Sequence, residues 1–289
     1  MKSFAGIALL AALISVALAA TADTNPAFAP LPSLKHPIAV IAHRAGAGIM
    51  PENTLAAIRN AIRLGVDYVE LDIRATSDGQ LVIMHDGTVD RTTNGKGAVK
   101  QLDFSTIRTL DAGLKFHVGE YAGEKIPTFD EVLELCHGKV HIYVDHKEAP
   151  TTQMFEAIKK YGMEKEVVVY NGTRALQEWK KVAPHIPVMP SLPTQYRKTG
   201  GVAEYEKELA AEVVDGNLLE WTKELVDQCH ALGVKVYVDN LGPNDNLPGF
   251  KKAIEMGVDG IQTNYPDLLL TYLKDNYKET PKTTIPAAQ

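Results

Sequence analysis

The sequence predicts an α/β protein folded as a (β/α)8 barrel with a small subdomain inserted after the second strand, and three observations carry that prediction. Eight short apolar runs alternate with amphipathic segments along the chain. The stretch they occupy, His36 to Asn276, is close to the roughly 250 residues typical of one such barrel. One connection, 86–127, is far longer than the handful of residues usual between a strand and its helix, which marks an insertion with its own structure.

Taken in order, residues 1–19 read as a signal peptide: Lys2 precedes an apolar run from Phe4 to Ala20, and Ala17-Leu18-Ala19 offers a small-residue cleavage site. The expectation is an exported protein, periplasmic or secreted, with no stable membrane insertion once that segment is removed. Strand-like runs follow at 38–42, 67–73, 140–146, 166–170, 186–190, 212–217, 233–239 and 258–263. Helical spacing lies between them: Leu55, Ile58 and Ile62 share a face that closes at Gly65, and Leu225, Cys229 and Leu232 one that closes at Gly233. Eight such units favour a barrel over an open sheet. The 86–127 insertion follows the second strand and is therefore expected on the face where barrels keep their active sites, with Phe104, Phe116 and Tyr121 as its core and as a roof. The Thr/Pro-rich stretch 279–289 reads as a flexible tail.

Composition narrows the partners. With 45% hydrophobic and 23% charged residues the chain is globular, and a net charge of −6 with no basic block excludes the electrostatic footprint of nucleic-acid binding. Two cysteines, Cys136 and Cys229, make no disulfide framework, and they fall on helices of opposite sides of the ring, so both are expected to be free.

Alternate residues of a barrel strand point inward, and the strand ends form the active face. In Tyr68-Val69-Glu70-Leu71-Asp72-Ile73 this sends Glu70 and Asp72 into one mouth, where two carboxylates repel unless a cation sits between them. One divalent cation with oxygen ligands, Ca²⁺ or Mg²⁺, resolves that repulsion. The run from His141 to Lys147 adds Tyr143, Asp145 and Lys147 on the same side, and a lysine beside a divalent cation suits a shared anionic ligand such as phosphate. Gln262 and Asn264 share a face of the last strand, and Tyr237 and Asp239 one of the seventh; His146 has the outward parity of a structural residue. His43 ends the first strand and His85 ends the run Leu81–Met84. Such a pair can take a proton from a nucleophile and give one to a leaving oxygen, and Arg44 adds a planar fork for phosphate. Gly46-Ala47-Gly48 mimics a dinucleotide fingerprint, but Pro51 stands where the third glycine belongs.

The segments AHRAGAGIMPENT, VELDIRATSDGQLVIMHDGTVDRTTNGKG, IPTFDEVLEL and GVDGIQTNYPDLLL together resemble the glycerophosphodiester phosphodiesterase family over residues 38–273. The resemblance implies a TIM barrel and metal-dependent hydrolysis of small glycerophosphodiesters to glycerol 3-phosphate and an alcohol. It makes His43 and His85 the acid/base pair, Arg44 and Lys147 phosphate contacts, and Glu70, Asp72 and Asp145 the metal ligands. It also has Glu52 and Tyr237 line the pocket. Two departures stand out: Ala45 where relatives have glycine, and Asp145 where they have glutamate. The runner-up is a lysophospholipase D or sphingomyelinase-D-like enzyme on the same barrel, and a third reading is a non-catalytic phosphodiester-binding protein.

Overall fold

A computed structural model describes residues 28–277; the signal sequence expected at 1–19 and the tail at 279–289 lie outside them. In chain order the elements are β1 (Ala39–Ala42), α1 (Leu55–Leu64), β2 (Tyr68–Ala75), β3 (Leu81–Ile83), α2 (Phe104–Thr109), α3 (Phe129–Cys136), β4 (His141–His146), α4 (Thr151–Lys160) and β5 (Val167–Tyr170). Then come α5 (Thr173–Val182), β6 (Val188–Met189), α6 (Gly201–Tyr205), β7 (Val213–Val214), α7 (Lys223–His230), β8 (Lys235–Asp239), α8 (Leu247–Met256), β9 (Gly260–Thr263) and α9 (Pro266–Asn276). Eight strands pair in parallel in the order β6-β5-β4-β2-β1-β9-β8-β7. The two ends of that order meet just beyond β6 and β7, where the Asp215 N–H donates to the Pro190 carbonyl (2.8 Å) and the Asp215 carbonyl accepts from the Leu192 N–H (3.0 Å). Seven of the eight strands lie within a run read from the sequence, and β2 extends two residues beyond its run, to Ala75. β6 keeps only two residues of its run because Pro187 and Pro190 flank it, and proline has no N–H to give a ladder.

The alternation of side chains sorts the core into two layers. Val69, Leu71, Ile73, Val144, Val169, Val214, Val236, Val238 and Ile261 face the helices. Ala39, Ile41, Tyr68, Tyr143, Val168, Met189, Val213 and Tyr237 fill the barrel interior. Segment 28–38 closes the N-terminal end of the barrel: Leu31 packs on that interior layer, the Ala29 N–H donates to buried Glu212 (2.8 Å), and His36 Nδ1 lies 2.8 Å from an oxygen of buried Asp67.

β3 is a ninth strand, outside the eight expected. It runs antiparallel to the end of β2, pairing Ile73 with Ile83 and Ala75 with Leu81, and opens the inserted subdomain. Val82 and Met84 join Val89, Val99, Ile107, Ala112 and Ile126 in a core separate from the barrel's, with Phe104 packed on its edge. Phe116 and Tyr121 have another place: they meet edge to face (5.7 Å between ring centres), and the Tyr121 hydroxyl reaches Met50 Sδ at 3.3 Å, tying the subdomain to the turn after β1. Cys136 and Cys229 are free and buried, as expected.

Candidate active site

Directly above the apolar interior layer, each strand supplies its next inward residue. In ring order these are His43 just past β1, Glu70 (β2), Asp145 (β4), Tyr170 (β5), Ser191 past β6, Asp215 past β7, Asp239 (β8) and Gln262 (β9). Asp72 and Lys147 stand one step higher on β2 and just beyond β4. Two-residue periodicity and a closed ring are enough to gather these polar groups at one mouth.

The sequence motif after β1 builds one wall. Arg44 (φ 48°), Ala45 (φ 64°) and Gly46 (φ 101°) all turn left-handed, which folds the chain back so that the Arg44 N–H donates to Glu70 Oε2 at 2.7 Å. Such angles favour glycine, and Ala45 stands at one of them. Pro51-Glu52-Asn53-Thr54 divides its labour. Thr54 caps α1 through the Ala57 N–H, and Asn53 Nδ2 donates to Asp72 Oδ2 at 2.8 Å. Glu52 accepts from Arg44 Nη1 (3.0 Å) and from both terminal nitrogens of Arg91 (2.7 Å each). Burial works to raise the Glu52 carboxyl, but hydrogen bonds from Arg91 and the charge of both arginines hold it below the usual range. Glu52 therefore braces two cations rather than presenting free lone pairs to a ligand.

The two histidines occupy different surroundings. His43 Nδ1 is 2.8 Å from Asn264 Oδ1, and its Nε2 lies 4.0 Å from Glu70 Oε2. Burial, then the neighbouring Arg44 charge, lowers its pKa to about 4, so the ring is neutral near pH 7. A neutral ring that donates from Nδ1 to Asn264 keeps a lone pair on Nε2. His85 is more exposed; its Nδ1 donates to Asp86 Oδ1 at 2.8 Å, and Arg74 fastens its carbonyl at 2.7 Å. Arg91 hydrogen bonds hold the Asp86 carboxyl well below the usual range and link it to Glu52.

Glu70, Asp72 and Asp145 present one ligand oxygen each within 4.8 Å of one another. Burial, then the charges of Asp72 and Asp145, raises Glu70 well above the usual carboxylate range. Burial also raises Asp145, against the pull of Lys147, which touches it directly. Asp72 is fully buried; its Oδ1 lies 3.3 Å from Lys147 Nζ without hydrogen-bond geometry and has no other partner. Three converging carboxylates, one of them with an orphaned buried oxygen, against Lys147 and the Arg44 Nε 3.9 Å from Asp72 Oδ2 are what a hard divalent cation fits.

Among the residues singled out in the sequence, His43, Arg44, Glu52, Glu70, Asp72, His85, Asp145 and Lys147 come together here. Tyr237 does not line the mouth. It is 2% exposed and packs edge-on to Tyr68 (6.1 Å between ring centres) in the apolar layer one step below Asp239. Parity placed it inward correctly; depth in the barrel, set by strand register, placed it beneath the pocket. His146 is structural as expected, accepting from Trp179 Nε1 (3.0 Å) and donating to the Ala149 carbonyl (2.7 Å). Asn53, Asn264, Asp86 and Arg91, which orient the residues above, had no role in the sequence reading. Asn264 had the visible signal of inward parity at a strand end.

Comparison with known proteins points one way. The profile of the glycerophosphoryl diester phosphodiesterase family matches residues 43–268. A glycerophosphodiester phosphodiesterase of Caldanaerobacter subterraneus is 36% identical over 250 residues, covering 81% of this chain and 97% of that protein. Among solved structures, a glycerophosphodiester phosphodiesterase from Agrobacterium tumefaciens superposes with a TM-score of 0.70 at 27% identity, over 81% of this chain and 99% of its own. A phosphodiesterase from Oleispira antarctica, in complex with the product sn-glycerol-3-phosphate, gives 0.73 at 25% identity over 82% and 96%.

Proposed function

The chain belongs to the glycerophosphoryl diester phosphodiesterase family and is a phosphoric diester hydrolase, and from that premise we propose that it cleaves glycerophosphodiesters to glycerol 3-phosphate and an alcohol, using one divalent cation and a histidine pair. The observation that carries this reading is the convergence of Glu70, Asp72 and Asp145 on one point of the mouth, with His43 and His85 beside it. Those three carboxylates would hold the cation, Ca²⁺ or Mg²⁺, whose charge when bound offsets that of the phosphodiester.

The side chains divide the proton work. His43, neutral and held by Asn264, takes a proton at Nε2 from the attacking oxygen. His85, with Nδ1 engaged by Asp86, gives one from Nε2 to the departing alcohol oxygen. Arg44 and Lys147 hold the phosphoryl oxygens, each already oriented by a carboxylate: Glu52 for Arg44, Asp72 and Asp145 for Lys147. Groups fixed in advance cost little to align when the substrate arrives.

No helix of the described residues is long and apolar enough to cross a membrane. The signal-like residues 1–19 support action outside the cytoplasm, on diesters released from phospholipids. The test is incubation of the chain lacking residues 1–19 with glycerophosphocholine, with and without EDTA. Glycerol 3-phosphate and choline are expected, and only without the chelator; phosphocholine as product would move the cleaved bond and overturn the assignment.

A further inference from the structure

Half of the polar ring remains outside the chemistry above. Tyr170, Ser191, Asp215, Asp239 and Gln262 crown β5 through β9, and each stands directly above a member of the interior layer or, for Gln262, above Gly260. Asp215 is 1% exposed. Its Oδ2 accepts from the Tyr143 hydroxyl at 3.0 Å, and its Oδ1 has no partner. Asp239, half-buried, accepts from Gln262 Nε2; Gln262 is 5% exposed, and its Oε1 also has no partner.

These groups form a wall rich in acceptors and poor in donors. Among the described residues no Lys, Arg or His pairs with Asp215 or Asp239, and the nearby Lys147 is taken by Asp72 and Asp145. Burial raises Asp239 to about 6 and holds Asp215 well above the usual carboxylate range, with repulsion from Asp145 among the causes in both. The wall is thus continuous with the metal-half carboxylates. Leaving buried acceptors unmatched costs free energy that a bound donor would recover. A metal ion is not the partner indicated: among the described residues the one trio of potential ligands close enough to converge is Glu70, Asp72 and Asp145. A bulkier cation that carries N–H groups satisfies both the charge and the unmatched oxygens.

We propose that Asp239, backed by Asp215 and Gln262, is the subsite for the leaving alcohol, and that it selects an amino alcohol bearing a primary ammonium. Asp239, the more accessible carboxylate, meets the ammonium; Gln262 Oε1 and Asp215 Oδ1 take its N–H groups, and the ring of Tyr170 covers one side. A quaternary ammonium brings the charge without the donors, and a neutral polyol brings donors without the charge. The order of preference is therefore glycerophosphoethanolamine, glycerophosphocholine, glycerophosphoglycerol. This inference rests on the phosphodiesterase reading and adds to it the identity of the alcohol.

The test measures glycerol 3-phosphate release from those three substrates by the metal-loaded enzyme and by Asp239→Asn, with folding checked by circular dichroism. The expected result is that the kcat/KM ratio of glycerophosphoethanolamine to glycerophosphoglycerol falls about tenfold in the variant, the scale of one lost charge-assisted contact, and that the fall lies in KM. Equal losses on all three substrates, or none on any, would overturn the subsite. If Asp239→Asn does not fold, product inhibition of the wild-type enzyme decides: ethanolamine must inhibit at concentrations at least about tenfold below those of glycerol, and equal inhibition rejects the proposal. Wild-type turnover of all three diesters at equal efficiency sinks this inference alone, whereas no glycerol 3-phosphate from any of them sinks the phosphodiesterase reading beneath it.

Discussion

The two halves of the barrel mouth are built by the same rule and balanced differently. Where β1, β2 and β4 end, carboxylates meet cations at every turn: Glu52 holds Arg44 and Arg91, Asp86 holds His85 and Arg91, and Asp72 and Asp145 hold Lys147. Where β7 and β8 end, Asp215 and Asp239 have only a tyrosine hydroxyl and an amide for company. Both halves bury charge; the first pairs part of it within the chain and leaves the Glu70, Asp72 and Asp145 trio for a bound cation, whereas among the described residues the second has no cationic side chain of its own. The contrast teaches that geometry alone does not mark a reacting centre. A network that fixes its own charges is set to hold a transition state, and a wall that leaves them open is set to bind what compensates them.

The largest effects should come from the metal carboxylates of the balanced half. Glu70→Gln and Asp72→Asn each remove one ligand charge and should reduce activity to that of the enzyme in EDTA. Isothermal titration with Ca²⁺ or Mg²⁺ should show lost affinity at unchanged circular dichroism; full turnover in EDTA would remove the basis of the comparison. Next are His43→Ala and His85→Ala, each expected to lower kcat by about 10²–10⁴-fold, with the double variant losing less than the product of the two. A single variant near wild-type turnover would return that histidine to a structural role.

Asn53→Ala tests whether fixation itself matters. It leaves every proposed ligand in place but frees Asp72 Oδ2, and a supporting residue of this kind is typically worth about 10–100-fold in metal affinity. Unaltered affinity would show that the tight half does not depend on its braces. The smallest effect concerns Asp145, one methylene shorter than the glutamate that the family resemblance leads one to expect. A carboxylate drawn back by roughly 1.5 Å suits the flexible shell of Ca²⁺ better than the rigid one of Mg²⁺. Asp145→Glu should stay active and shift metal preference toward Mg²⁺, while Asp145→Ala weakens every metal. Activity against metal concentration for the three proteins reads this out, and wild-type titration by Asp145→Ala would exclude the residue as a ligand.

What the sequence disclosed followed from periodicity. Strands buried on both faces are short apolar runs, so all eight were visible, and polar residues interrupting them with inward parity gave Glu70, Asp72, Asp145 and Lys147. Parity carries no information about height: it gave the inward direction of Tyr237, and the family resemblance, which has that residue line the pocket, did not reveal that it lies a layer below. The run Leu81–Met84 was legible, but its antiparallel pairing with the end of β2 was not, because a three-residue strand outside the alternating pattern gives no sign of its partner. Asp215 escaped because β7 has two residues, too few to show alternation. Glu52 and Asn53 lie in a turn, where no period exists, and their partners could be known only once the left-handed path through Arg44 and Ala45 was seen.

The join that closes the ring has its own consequence. β2 and β4 pair along six positions, whereas β6 and β7 share main-chain hydrogen bonds only at Asp215, helped by the Val188 N–H on Glu212 Oε2 (2.8 Å). A collar cut once and held by a single clasp opens at the clasp, so local unfolding should begin there. Amide protons of Asp215 and Leu192 should exchange with deuterium ahead of those of β2 and β4. Because the residue that forms the clasp also points its carboxyl into the mouth, each opening would carry a wall of the cavity outward, letting the barrel admit leaving groups of unequal size while the opposite, six-position side stays still.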